Sequence, residues 1–134
     1  MPFELDIVTP QGQAYHGPVD AIVLPGSEGQ FGVLPDHERF LTPLRTGEVE
    51  IRVGGDVLYA AIADGFAEVQ GQQVAVLVES CELASNIDVA RAERARARAE
   101  EGLAALGPDA ERARYEQFET ALERAKNRLA VGQR

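Results

Sequence analysis

Arg91, Arg94 and Arg98 recur at i, i+3 and i+7, and Arg124 and Arg128 stand one helical turn apart. On two helices folded back on each other these five guanidinium groups could converge. A guanidinium offers planar, paired donors, a shape that suits phosphate oxygens. The plainer reading of the same spacing is a solvated helix face laced with pairs such as Glu123 with Lys126. Other chemistry is sparse. His16 and His37 are the only histidines, too few for a three-histidine zinc site, and Cys81 is the only cysteine, so no cysteine pair can hold a metal. A small β-sandwich metalloenzyme resting on His37, His16 and carboxylates is the reading from a different class. Cys81 follows Glu79 and Ser80 with no histidine nearby in sequence, which marks an inert small side chain rather than a nucleophile. The run Gly29-Gln30-Phe31-Gly32 lacks the third glycine of a dinucleotide loop. Asp56 and Asp64-Gly65 read as turn acids.

The elements that carry these groups fall into two compositions. The chain has 134 residues, enough for one domain or a small domain with an appendage. Residues 1 to 86 hold 3 basic and 13 acidic residues, net -10, while residues 87 to 134 hold 10 and 9, net +1. The overall charge of -9 repels phosphate backbones and anionic lipid, so nucleic acid and direct membrane insertion are not expected and proteins or small ligands are. No basic stretch followed by an apolar run opens the chain, and no apolar run reaches 18 residues, the signs of export or of a membrane span.

In the first part Phe3, Leu5 and Ile7 alternate with Glu4 and Asp6, and Val49, Ile51 and Val53 alternate with Glu50 and Arg52, the period of half-buried strands. Further runs cover residues 21–24, 57–62, 66–70 and 74–78, with breakers at Pro25-Gly26, Gly54-Gly55, Asp64-Gly65 and Gln70-Gly71. Short strands and tight turns in this rhythm predict a sandwich or small barrel. From Ile87 the period becomes helical, with Ala92, Ala95, Ala99, Leu103 and Leu106 on one face and Ser85 or Asn86 as the expected cap. Gly107-Pro108-Asp109 separates a second stripe of Tyr115, Phe118, Leu122, Ala125 and Leu129. The expectation is an α+β chain, with a β-sandwich over residues 1–86 and an antiparallel helical hairpin over residues 87–134. The alanine face buries little area, so either the first helix is weakly docked yet helical on its own, or alanine simply lets the two helices pack closely.

The run from Gly26 to His37 (GSEGQFGVLPDH), then Leu41-Thr42, Gly65-Phe66-Ala67-Glu68-Val69 and Ile87-Asp88-Val89-Ala90-Arg91-Ala92, resembles the epsilon subunit of bacterial F-type ATP synthases, the homologue of the mitochondrial delta subunit. The likeness covers essentially the whole chain and implies about ten strands in the sandwich. It also implies a non-catalytic subunit of the rotor, seated on the gamma subunit and the ring of c subunits at the cytoplasmic face of the bacterial inner membrane. The resemblance further implies that the hairpin, once extended, reaches the alpha and beta catalytic subunits and restrains ATP hydrolysis. No cofactor is required, with ATP as a regulatory ligand. Residues matching the family's ATP site are Glu82, Ile87, Asp88, Arg91, Ala92, Arg98, Arg124 and Arg128, with Glu82, Ile87 and Asp88 toward adenine and the arginines toward phosphate. Glu28, Gln30, His37 and Thr42 are the expected rotor contacts, and Arg112, Arg114, Arg124, Lys126 and Arg128 the expected contacts of the extended arm. A free-standing ATP-sensing adaptor of the same fold is the alternative.

Overall fold

A computed structural model describes residues 2–35 and 38–134. Ten strands precede two helices: β1 (Phe3–Thr9), β2 (Gly12–Val19), β3 (Ala21–Gly26), β4 (Gly29–Val33), β5 (Phe40–Leu44), β6 (Gly47–Val53), β7 (Asp56–Ile62), β8 (Gly65–Gln70), β9 (Gln73–Val78) and β10 (Cys81–Leu83), then α1 (Val89–Ala105) and α2 (Arg112–Gly132). Hydrogen bonds run in the order β10-β7-β6-β3-β5-β8-β9-β1-β2, with β4 paired to β3. Every pairing is antiparallel except that of β1 with β9.

Alternation decides which side chains face inward. Phe3, Leu5 and Ile7 of β1 share one buried cluster with Val49 and Ile51 of β6 and with Ala60 and Ile62 of β7, although these strands lie far apart along the hydrogen-bonded path. The path must therefore fold over on itself, and the two layers enclose a common core as a sandwich. The fold turns at β3, whose residues 21–23 pair with β6 while Gly26 alone pairs with Leu44 of β5. A Cβ at Gly26 would lie 2.7 Å from the Gly29 carbonyl oxygen and 3.0 Å from the Phe31 ring, so only glycine fits this corner. The expected hairpin turns are present, with φ of 58° and 101° at Gly54 and Gly55 and 58° at Gly71, the left-handed region that glycine tolerates.

The helix start differs from expectation. Residues 84–86 form a 3-10 turn, and the cap of α1 is Asp88, whose carboxylate accepts the Arg91 backbone N–H at 3.0 Å, rather than Ser85 or Asn86. Those two residues are consumed by the turn that redirects the chain off β10. Ile87, read as the first helical residue, is instead extended and buried. The alanine stripe does pack inward, with Ala92 and Ala99 buried against α2. Gly102 lets the helices approach closely, since a Cβ there would meet the Phe118 ring at 2.4 Å. Tyr115, expected in the second stripe, is 49% exposed in the first turn of α2, beside the loop that joins the two helices.

Candidate functional site

The hairpin lies back against the sandwich through α2, which meets β6, β7 and the 3-10 turn. Ile87 and Val131 bury themselves on Ala61 of β7, with Tyr59 and Ala84 beside them. Polar groups finish the seat. The Asn127 side-chain amide donates to the Gly47 carbonyl at 2.9 Å, and Arg128 Nε donates to Glu82 Oε1 at 2.7 Å. Arg134 donates to both carboxylate oxygens of Glu48 at 2.9 and 2.8 Å and lies 4.4 Å from the centre of the Tyr59 ring.

Between this seat and α1 opens a cleft of about 330 Å³ lined by Glu82, Asn86, Asp88, Arg91, Ala92, Ala95, Arg98 and Arg128. That volume is within the range of about 300–1,000 Å³ typical of small-ligand sites. Its charges are unequal in availability. Glu82 is engaged by Arg128 and Asp88 by the first turn of α1, whereas Arg91 and Arg98 make no ion pair among the described residues. The start of α1 is already capped by the Asp88 carboxylate, so the positive end of its dipole is taken up within the chain. What the cleft offers a polyanion is therefore the two guanidinium groups of Arg91 and Arg98 that carry no ion pair among the described residues.

Six of the eight residues matched to nucleotide binding meet in this cleft: Glu82, Asp88, Arg91, Ala92, Arg98 and Arg128. Two do not. Ile87 points under the hairpin onto Ala61 and Val131, since the turn before α1 leaves it extended and buried there. Arg124 faces the sandwich edge beside Thr46, Ala63, Asp64 and Phe66, one turn before Arg128 on α2 and outside the cleft. Asn86 and Ala95 also line the cleft, where neither was expected: the sequence reads Asn86 as a helix cap and Ala95 as part of the packing stripe.

Of the expected rotor contacts, Glu28, Gln30 and Thr42 line one shallow hollow with Ser27, Phe31 and Pro43, because the β3–β4 turn and β5 approach each other at the Gly26 corner. His37 lies outside the described residues. Next to this hollow runs an exposed row that alternation alone did not flag: Pro43, Phe66, Leu77 and Val8 are successive cross-strand partners on β5, β8, β9 and β1. Phe66 is 53% and Leu77 50% exposed, with Leu41 of β5 also outward. The available signal was that Phe66 and Leu77 stand out of phase with the inward Ala67, Val69, Val76 and Val78.

The remaining candidates are inert in this arrangement. His16 on the exposed face of β2 is hydrogen-bonded to Asp6 at 2.5 Å, and no group of three or more His, Cys, Asp or Glu side chains is placed to hold a metal among the described residues. Cys81 is half-buried; burial first, then the neighbouring Glu82 carboxylate, pushes its thiol up to about 11 and away from the reactive thiolate at neutral pH. Of the arm contacts, Arg112, Arg114 and Lys126 face solvent, while Arg124 and Arg128 are turned to the sandwich.

Comparison with known proteins bears on the whole chain. Residues 2–84 match the family model "ATP synthase, Delta/Epsilon chain, beta-sandwich domain" and residues 85–133 match "ATP synthase, Delta/Epsilon chain, long alpha-helix domain". The ATP synthase epsilon chain 2 of Syntrophotalea carbinolica is 46% identical over 132 residues, covering 98% of this chain and 94% of the relative. The ATP synthase epsilon chain of Syntrophobacter fumaroxidans is 43% identical over 131 residues, covering 98% and 96%. In the solved OSCP/F1/c-ring assembly of Euglena gracilis mitochondrial ATP synthase, one chain superposes with a TM-score of 0.81 at 26% identity, covering 96% of this chain and 80% of that one. This places the metalloenzyme reading aside: the chain belongs to the delta/epsilon family of ATP synthase subunits, as an epsilon-type, non-catalytic member.

Proposed function

We propose that the chain is a rotor subunit of a proton-translocating F-type ATP synthase, peripheral at the cytoplasmic face of the bacterial inner membrane. No helix of the described residues is long and apolar enough to cross a membrane. In this reading the sandwich seats on the gamma subunit and the c ring through the Glu28, Gln30 and Thr42 rim and the apolar row of Pro43, Phe66 and Leu77. A row of half-exposed apolar side chains flanked by polar groups is what a protein interface needs. The hairpin restrains ATP hydrolysis when it leaves the sandwich and reaches the alpha and beta subunits, and ATP bound in the cleft favours the docked form.

One observation carries the regulatory part. The cleft takes Arg91 and Arg98 from α1, Arg128 from α2 and Glu82 from the sandwich, so a ligand filling it would bridge all three. Such a ligand binds the docked arm and not the extended one, and by mass action shifts the population toward docking. The docked arm also holds Arg124 and Arg128 against the sandwich, where they are unavailable to a catalytic partner.

The test is a calorimetric titration of the chain with ATP, repeated with Arg91→Ala and with GTP. Saturable ATP heat abolished by Arg91→Ala is the expected result; no heat at millimolar ATP would remove nucleotide gating from the proposal. In parallel, hydrolysis by the catalytic complex should rise when the chain ends at Asn86. Unchanged hydrolysis would remove inhibition.

A further inference from the structure

Two groups on α2 and one just past its end face three groups on the sandwich in matching order. Ala61 of β7 is the direct cross-strand partner of Glu82 on β10 and of Glu48 on β6, so the three side chains stand in a row on one face of the sheet. Opposite them are Arg128, Val131 and Arg134, spaced by three: Arg128 binds Glu82, Val131 packs on Ala61, and Arg134 binds Glu48. Strands lie about 4.8 Å apart, and three residues of helix rise about 4.5 Å. The two repeats match. Arg134 keeps the helical step because its N–H donates to the Val131 carbonyl at 3.0 Å, prolonging the last turn of α2.

We propose that this three-rung ladder sets the register of the docked hairpin, and that its outer rung, Arg134 on Glu48 and Tyr59, controls how often the arm leaves the sandwich in the absence of any ligand. The inner rung, Arg128 with Glu82, lines the cleft and is shared with whatever binds there. The outer rung does not line it. A shift of α2 by one residue breaks both ion pairs and carries Val131 off Ala61 at once, so the ladder admits one position. Of the two ion pairs, only the outer one is bidentate and backed by an aromatic ring, with Glu48 the more covered partner at 20% exposure. The inference concerns the resting arm of the free chain and stands whether or not ATP binds.

Spin labels at the exposed positions Gln70 and Ala105, in a Cys81→Ser background, report the docked and undocked populations by electron–electron distance measurement. Glu48→Gln and Arg134→Ala should each raise the undocked population about three- to five-fold, as loss of a surface charge pair allows. The double variant should go no further than either single change, and the exchanged pair, Glu48→Arg with Arg134→Glu, should recover most of the docked fraction. Arg112→Ala, which breaks only the pair with Glu116 within α2, should leave it unchanged. Additive single effects, an exchanged pair that fails to recover, or an equal response to Arg112→Ala would overturn the ladder. Tyr59→Leu, which keeps both charges, gives an independent reading, and no rise in the undocked population would remove the ring from the outer rung.

Discussion

The sandwich and the hairpin are held by different forces. Leu5, Ile7, Leu24, Val49 and Ile51 are wholly buried in a single core that joins distant strands. The hairpin meets that body through the three-residue cluster of Ala61, Ile87 and Val131, and through ion pairs that remain partly wet, with Arg128 at 31% and Arg134 at 49% exposure. A buried leucine is worth about 1.5–3 kcal/mol relative to exposure, whereas a surface ion pair is worth about 0–1 kcal/mol. Apolar burial makes the first region cooperative. The hairpin rests on a smaller apolar patch, and the ion pairs that complete its seat are groups that water can solvate in turn, so it is the more weakly held of the two. That contrast is what the proposed role, a rigid seat carrying an arm that leaves it, requires.

The sharpest way to break this comparison is through the core. Leu5→Ala should cost the sandwich about 3 kcal/mol, read as a lower urea midpoint by circular dichroism of the β signal. A loss below about 1 kcal/mol would mean that the sandwich is as loosely held as the arm. Next in size, Gly102→Ala puts a Cβ against the Phe118 ring; about 1 kcal/mol of gained helix propensity is then spent in separating α1 from α2. Faster amide exchange in both helices with an unchanged sandwich midpoint is expected. Slower exchange would show that the ring moves aside. Asp88→Ala removes the α1 cap and should cost about 1 kcal/mol, confined to the hairpin, whereas loss of sandwich stability would join the two regions into one cooperative unit.

The last effect vanishes at neutral pH and appears only in alkali: a pH dependence confined to the sandwich side. Burial raises the Cys81 thiol from about 9 to about 11, so the folded chain holds this proton more tightly than the unfolded chain. Its contribution is complete below about pH 9 and is lost as pH rises toward 11. Stability of the native chain should therefore fall across that window relative to Cys81→Val, measured by urea titration at each pH. Parallel curves would place the thiol in water.

Much of the fold was legible because it rests on local periodicity. The β1 and β6 alternations, the glycine turns at Gly54-Gly55 and Gly71, and the break at Gly107-Pro108 each depend on neighbours a few residues away. The cap was misplaced for the same reason. Ser85, Asn86 and Asp88 are all competent acceptors, and only the 3-10 turn that carries the chain off β10 selects Asp88. The exposed Phe66 and Leu77 were readable in principle from their phase, but their alignment with Pro43 and Val8 depends on strand order.

By itself the sequence determined the two regions, their opposite charge balance and the arginine spacing on α1, since composition and period are properties of the chain. It also brought Arg91 and Arg98 to one helix face, because seven residues make nearly two turns. Tertiary structure alone decided that Arg128 turns into the cleft and Arg124 away from it, that Ile87 is spent on packing, and that Arg134 finds Glu48 across 86 residues. The reason is geometric: the docking angle of α2 on β6, β7 and β10 is a property of two packed surfaces, and no spacing along either one encodes it.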